Sequence, residues 1–208
     1  MIHFDFYDRY EDENVVGHAI NRRDGVVLSI VFHALVIAAF IYGPHNPFDR
    51  EAFFWDRLLA GRPIVVPEDG LRTMQWVHVR DVARAAVLAA DSNHAIGHAY
   101  NLAGYPPITQ IEFVKLLATV AGREAQLVPM PRQRIQRGGG EPAGTRLYFG
   151  DYLDIPSITV RSDRVRGELG LTLTPLEDGF ADTYRWYRQQ NRPRPDFSLE
   201  DRLLASAR

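Results

Sequence analysis

The stretch Thr73–Val79, TMQWVHV, runs almost directly into Asp81–Ala90, DVARAAVLAA. Its first part alternates and reads as a β-strand. Asp81 follows at once and is placed to cap a helix, because its carboxylate can accept from the N–H groups of the first turn. Arg84 is the only charged residue inside that helix, so most of it is expected to be buried. A strand delivered straight into a buried helix is the building unit of an α/β fold.

Working upstream, Glu68-Asp69-Gly70 reads as a turn and Ile64-Val65-Val66 as a short strand ending at Pro67. Asp49–Ala60 reads as an amphipathic helix with Phe53, Phe54, Trp55 and Leu58 on its apolar side and Gly61 behind it. Gly43-Pro44-His45-Asn46-Pro47 is a rigid turn closing an apolar run, Val26–Tyr42. Residues 7–24 are polar with loose helical spacing, ended by Gly25.

Working downstream, Ala99–Leu102 reads as a short strand. Thr109 and Glu112 form a capping box before a helix carrying Phe113, Leu116, Leu117, Val120 and Ala121, closed by Gly122. Gln126–Pro129 is a strand leading to 131–146, PRQRIQRGGGEPAGTR, which reads as a mobile surface loop. Ser162 is expected to cap a short helix ending at Gly170. Thr174, Pro175 and Glu177 start the last long helix, with Leu176, Phe180, Tyr184 and Tyr187 as its buried stripe. From Asn191 the chain is Pro/Arg-rich. Strands alternating with helices predict an α/β fold with parallel pairing.

Composition excludes several chemistries. The 208 residues contain no cysteine, so no thiol nucleophile, disulfide or thiolate zinc site can form. All but one of the 24 Lys+Arg positions are arginine; the exception is Lys115. Val114 precedes it, so no phosphate loop ends in Gly-Lys-Ser/Thr. The net charge of −2 argues against a nucleic-acid partner, and the arginines 132, 134, 137 and 146, with Glu141 among them, read as a solvated loop. The seven histidines show no metal-binding pattern, so no metal is expected. The run 26–42 lacks charged residues but is short for a membrane span, and its Val, Ile and Phe favour buried strands. The acidic N-terminus is not a secretory signal, and a cysteine-free chain is compatible with the cytoplasm.

Taken in order, YGPHNP, a helix, GRPIVVPEDG, WVHVRDVARA, YNLAG, ITQIEFVKLLATVAG, SDRVRGELGLTLTP and EDGFADTYRWY resemble the C-terminal half of an extended short-chain dehydrogenase/reductase, the NAD-dependent epimerase/dehydratase family. The resemblance covers residues 35–190. It implies an α/β fold with an incomplete Rossmann-like parallel sheet and a smaller C-terminal substrate subdomain. Residues 1–34 stay unmatched, as a helix plus apolar lead-in, and 191–208 form a polar tail. It further implies NAD(P)-dependent chemistry on a small, sugar-type substrate.

Departures from the family pattern qualify that implication. No Gly-x-x-Gly-x-x-Gly turn for a dinucleotide pyrophosphate occurs; the first glycines are Gly17 and Gly25. The family's Tyr-x-x-x-Lys pair is missing: Tyr7 has Glu11 at the lysine offset and Tyr10 has Asn14, leaving both as vestigial candidates. Lys115, three residues after Glu112 on a capped helix, reads as a solvated ion pair. Tight NAD(P) binding is therefore not expected of this chain, and whether it is an enzyme by itself stays open. Where family members carry a diphosphate-gripping arginine, four residues before His78, the chain has Met74; Arg72 lies on the same expected strand face.

By the resemblance, Tyr42, His45, Asn46, Arg72, His78 and Arg161 are the candidate substrate-binding residues. The turn at 42–46 would border a pocket at the carboxyl edge of the sheet, where open α/β sheets bind ligands. Three readings follow: a substrate-binding half that is inactive alone; a binding or assembly module, such as a homo-oligomer joined through an exposed sheet edge; and a domain anchored to a membrane through 26–42.

Overall fold

The computed structural model describes residues 41–205, apart from Asp49 and Gly97. The sequence readings on 1–40, including Tyr7 and Tyr10, lie outside the described residues. The strands are β1 (Ile41–Tyr42), β2 (Ile64–Pro67), β3 (Thr73–Met74), β4 (Val77–His78), β5 (Ile108–Thr109) and β6 (Leu127–Met130). The helices are α1 (Glu51–Leu59), α2 (Val79–Ala90), α3 (Gln110–Val120), α4 (Arg132–Arg137), α5 (Asp163–Leu169), α6 (Leu176–Tyr187) and α7 (Ser198–Ala205). β1 pairs in parallel with β4, and β2 in parallel with β6; β3 and β5 are antiparallel. The fold is α/β with parallel pairing, as the alternation of elements requires. No helix among the described residues is long and apolar enough to cross a membrane.

Aromatic rings hold these elements together. Trp76, between β3 and β4, stacks on Phe113 of α3 at 4.4 Å, and Phe113 meets Phe54 of α1 edge-on at 5.3 Å. Phe180 of α6 stacks on Tyr42 of β1 at 4.1 Å and also contacts Trp76 and Phe113. Phe149 closes on Phe54 at 5.0 Å. Each such pair contributes about 0.5–1.5 kcal/mol beyond the area it buries. Trp55 donates its indole N–H to the Leu117 carbonyl at 3.2 Å, fixing α1 against α3.

The capping box at Thr109 and Glu112 forms as expected, with hydrogen bonds of 3.2 and 2.7 Å. Gly61, Gly122 and Gly170 all take positive φ behind their helices, as C′ residues do. Other expectations need correction. The strand read over Thr73–Val79 is broken at Gln75 and Trp76. The Gln75 side chain explains the break: it donates to the Gly104 carbonyl at 3.1 Å and accepts from the Val160 N–H at 2.6 Å, tying two loops into the interruption. Val79 already belongs to α2.

Asp81 does not cap α2. His78 does, its Nδ1 accepting from the Arg80 N–H at 3.3 Å. Asp81 instead accepts from both the N–H and the hydroxyl of Thr174, each at 2.8 Å, so it joins α2 to the start of α6. Thr174 is thereby taken away from capping its own helix. Ser162 likewise donates to the Ala103 carbonyl and makes no cap. α2 is mostly exposed, because only Asp81 and Ala85 are buried; Ala85 packs with Val165, Leu169 and Leu171. Residues 99–102 form no strand.

Segment 131–146 is packed, not a free loop. It carries α4, whose Ile135 is fully buried. The glycines behind α4 are close-packed: a Cβ on Gly138 would lie 2.4 Å from Leu203, and one on Gly140 would lie 2.6 Å from Ile135. Leu203 belongs to α7, a helix within the stretch read as a polar tail. Leu199 and Leu203 are buried there, and buried Glu200 pairs with Arg57 of α1.

The contact between Tyr42 and Gly179 gives a sharp test. The Tyr42 hydroxyl is buried without a hydrogen-bond partner among the described residues, and a Cβ at Gly179 would lie 2.0 Å from it. Gly179→Ala should lower unfolding free energy by about 1–3 kcal/mol in urea denaturation. Tyr42→Phe alone should be near neutral, since no hydrogen bond is lost, and should recover part of the loss in the double variant. An unchanged urea midpoint for Gly179→Ala would contradict this packing.

Candidate functional site

The carboxyl ends of β1 and β4 lie side by side, with Tyr42 opposite His78 in the ladder. The chain then turns away at Gly43, whose φ of 137° and proximity to Val79 both demand glycine; a Cβ there would sit 2.6 Å from Val79 Cγ1. His45 follows at φ 65° and packs on Trp186 of α6 at 5.3 Å between centroids. Asn46 closes the turn: its Oδ1 accepts from the Phe48 N–H at 3.1 Å, and its Nδ2 donates to Glu51 at 3.4 Å. Of the residues expected to bind substrate, His45 and Asn46 form this edge. Tyr42 and His78 lie buried beneath it, their rings 5.2 Å apart.

The bond from Arg80 N–H makes His78 Nδ1 an acceptor, so neutral His78 carries its proton on Nε2. Nε2 faces Asp182 Oδ2 at 3.6 Å, beyond hydrogen-bond length, and has no hydrogen-bond partner among the described residues. Arg80 and Arg185 both pair with the same Asp182. Burial lowers the His78 pKa from its ordinary 6.5, helped by the charges of Arg80 and Arg84 and opposed by Asp182 and Asp81.

A second polar centre lies at the carboxyl ends of β2 and β6. Its middle is Asp154, with a side chain only 2% exposed. Arg132 binds it through Nε and Nη2 at 2.7 Å each, Arg72 through Nη1 at 2.9 Å, and Tyr148 through its hydroxyl. Glu68, at φ 54°, accepts from the Arg132 N–H at 2.9 Å. Burial pushes the Asp154 carboxyl up, but hydrogen bonds from Arg132 and Tyr148, with the charges of Arg132 and Arg72, outweigh it and hold the pKa below the ordinary value. Burial, then Asp154, pushes the Tyr148 phenol well above its usual range. Arg72 engages Asp154 through Nη1 and remains one-third exposed, so it is the more open of the two arginines on Asp154.

Sequence reasoning singled out Arg72 but missed Asp154 and Tyr148, and read Arg132 as loop. No local pattern announces this centre, since Arg72 and Asp154 are 82 residues apart. Arg161 joins neither group: its side chain is 84% exposed and pairs with Asp163. A surface depression of about 440 Å³ lies elsewhere, lined by His94, His98, Arg164 and Glu168, and Arg164 there is already committed to Glu168 and His98. No group of three metal ligands occurs among the described residues.

The described residues do not fit a dinucleotide pyrophosphate. Two strands among the described residues run straight into a long helix: His78 into α2, closed by the imidazole cap with the Asp81 carboxylate in the first turn, and Thr109 into α3, closed by the capping box with the Glu112 carboxylate in the first turn. The Gly138–Gly140 run is filled by Leu203, Ile135 and Tyr148.

Comparison with known proteins gives a consistent picture. Residues 22–103 match the NAD dependent epimerase/dehydratase family. A dTDP-glucose 4,6-dehydratase from Actinoplanes sp. is 30% identical over 71% of this chain and 41% of its own length. The chloroplast stem-loop binding protein of 41 kDa b from Arabidopsis thaliana is 36% identical over 40% of this chain and 22% of its own length. Among solved structures, dTDP-glucose 4,6-dehydratase from Bacillus anthracis, in complex with NAD, superposes with a TM-score of 0.53 at 20% identity, over 73% of this chain and 43% of that one. The chain thus spans about two fifths or less of the length of these relatives, and the structural likeness concerns the fold.

The buried His78 predicts a pH effect on stability. Its folded pKa is lowered, so its neutral form favours folding above 6.5, and that contribution is lost as pH falls below 6.5 toward the folded value. His78→Asn keeps a side-chain acceptor for the Arg80 N–H and removes the titration. Urea midpoints measured from pH 7.5 to 5 should fall less steeply for this variant than for the parent; equal slopes would contradict the assignment.

Proposed function

We propose that this chain, similar to the NAD dependent epimerase/dehydratase family, corresponds to the family's C-terminal half and supplies the substrate side of a nucleotide-sugar-binding site. The observation that carries this reading is the one-third-exposed Arg72 side chain, held by Asp154 at the carboxyl end of a parallel strand pair. An anchored guanidinium is suited to a diphosphate, because its fork is preorganised for phosphate oxygens. It stands two residues from Met74, where family members place such an arginine, and takes over that task. His45 and Asn46 form the sugar-facing edge, supported from below by Tyr42 and His78. The dehydratase relatives, whose names specify dTDP-glucose, support a sugar nucleotide as ligand class.

In this proposal hydride transfer is not carried out by these 208 residues alone. They contain no Gly-x-x-Gly-x-x-Gly turn and no Tyr-x-x-x-Lys pair. Lys115 is exposed on α3 beside Glu112 and is no partner for a catalytic tyrosine. NAD is the cofactor carried by solved relatives, and the described residues offer no cradle for it, so no chemical step is assigned to them. Their role is to bind and orient a sugar nucleotide.

Isothermal titration of the 208-residue chain tests this directly. dTDP-glucose should bind, and Arg72→Ala should weaken it about tenfold, the loss expected for one charge-assisted contact. NAD+, NADH and NADPH should show no micromolar binding. Tight NAD binding, or dTDP-glucose binding indifferent to Arg72→Ala, would overturn the proposal.

A further inference from the structure

Tyr152 is a large aromatic residue left 47% exposed and held in the left-handed backbone region, at φ 59°. For a residue of this size that conformation is strained. Such strain persists only where the surroundings impose it, and it gathers where a side chain has a task. The Tyr152 N–H donates to the Pro142 carbonyl at 3.0 Å, and the ring meets that of Phe48 edge-on, 5.6 Å between centroids. The flanking residues are fixed as well. Gly150 is left-handed at φ 67°, and a Cβ there would lie 3.1 Å from both Leu153 and Phe54. Leu153 is buried, and its carbonyl accepts from Gln110 Nε2 at 3.0 Å.

Through these contacts Tyr152 joins the two parts of the candidate ligand edge. Phe48 ends the turn that carries His45 and Asn46, and Asn46 Oδ1 accepts its N–H. Asp154, two residues after Tyr152, holds Arg72, and Tyr148 of the same loop donates to Asp154. We infer that Tyr152 recognises the sugar of the bound sugar nucleotide, its ring packing on a C–H face of the hexose. This rests on the function proposed above and adds to it the residue that tells a sugar from its absence. Arg72 grips phosphate, which every nucleoside diphosphate carries, so it cannot make that distinction. Asn46 has both polar atoms of its side chain engaged, by Phe48 and Glu51. A tyrosine ring offers wide amphipathic contact at low entropic cost, and its negatively polarised face suits polarised C–H groups. This ring is already held in place, so binding immobilises little.

The test is isothermal titration of the 208-residue chain with dTDP-glucose and with dTDP, for the parent, Tyr152→Phe and Tyr152→Asn. Asparagine tolerates the left-handed region, so the second variant removes the ring and keeps the turn. Tyr152→Phe should bind dTDP-glucose within about twofold of the parent, and Tyr152→Asn about tenfold more weakly. All three should bind dTDP alike. The urea midpoint of Tyr152→Asn should not fall, because relief of strain offsets the lost Phe48 contact. Equal weakening of both ligands by Tyr152→Asn overturns the inference, placing the ring on the nucleotide or, with a lowered midpoint, in the packing alone. Unchanged dTDP-glucose affinity in Tyr152→Asn overturns it too, while the function proposed above still stands if Arg72→Ala weakens binding. A parent chain that binds neither ligand overturns both.

Discussion

The stacking of Trp76 on Phe113, with Phe180 set against both, is the contact on which the other elements depend. Trp76 belongs to the β3–β4 connection, Phe113 to α3 and Phe180 to α6, so three distant parts of the chain meet at one point. Tyr42 and Phe54 extend the group to β1 and α1. The strands themselves are two to four residues long and make few ladder hydrogen bonds. Their pairing cannot organise the fold by itself, and ring packing supplies what the short ladders lack. Gly179 is the local cost of this arrangement: α6 lies so close to Tyr42 that no side chain fits there.

Around that core, single polar side chains join elements that are far apart in the chain. Asp81 holds the start of α6, Gln75 holds two loops, and Asp154 gathers Arg72, Arg132 and Tyr148. Each is buried and each has its charge or hydrogen-bonding capacity met, so loss of one partner would leave an uncompensated group. The candidate ligand edge inherits its geometry from these joints. Arg72 is aimed by Asp154, which is in turn held by Arg132 at the start of α4, and α4 is pinned through Gly138 by Leu203 of α7. The C-terminal helix thus supports the arginine centre through packing.

What could be read from sequence divides along the same line. Local rules succeeded where the deciding interaction was local. The capping box at Thr109, the glycines behind three helices and the short strand at Ile64–Val66 needed only neighbouring residues. They failed where a distant partner competed. Asp81 has every local feature of a helix cap, yet Thr174 takes its carboxylate, and the same bond removes Thr174 from its own helix. The Gly/Arg-rich stretch after Pro131 reads as loose because nothing local shows that Ile135 and Leu203 will fill its glycines. The ordered family motifs drew attention to the turn that carries His45 and Asn46, while Asp154 stayed invisible because its partners lie up to 82 residues away in the chain.

We propose that the described residues build a sugar-nucleotide edge without a dinucleotide cradle. Hydrogen–deuterium exchange of the 208-residue chain, alone and with dTDP-glucose or NAD+, reads that claim residue by residue. dTDP-glucose should slow exchange at the 42–46 turn and around Arg72, leaving α3 and α6 unchanged, and NAD+ should alter nothing. Protection by NAD+, or a dTDP-glucose effect that misses both the turn and the Arg72 centre, would contradict the account.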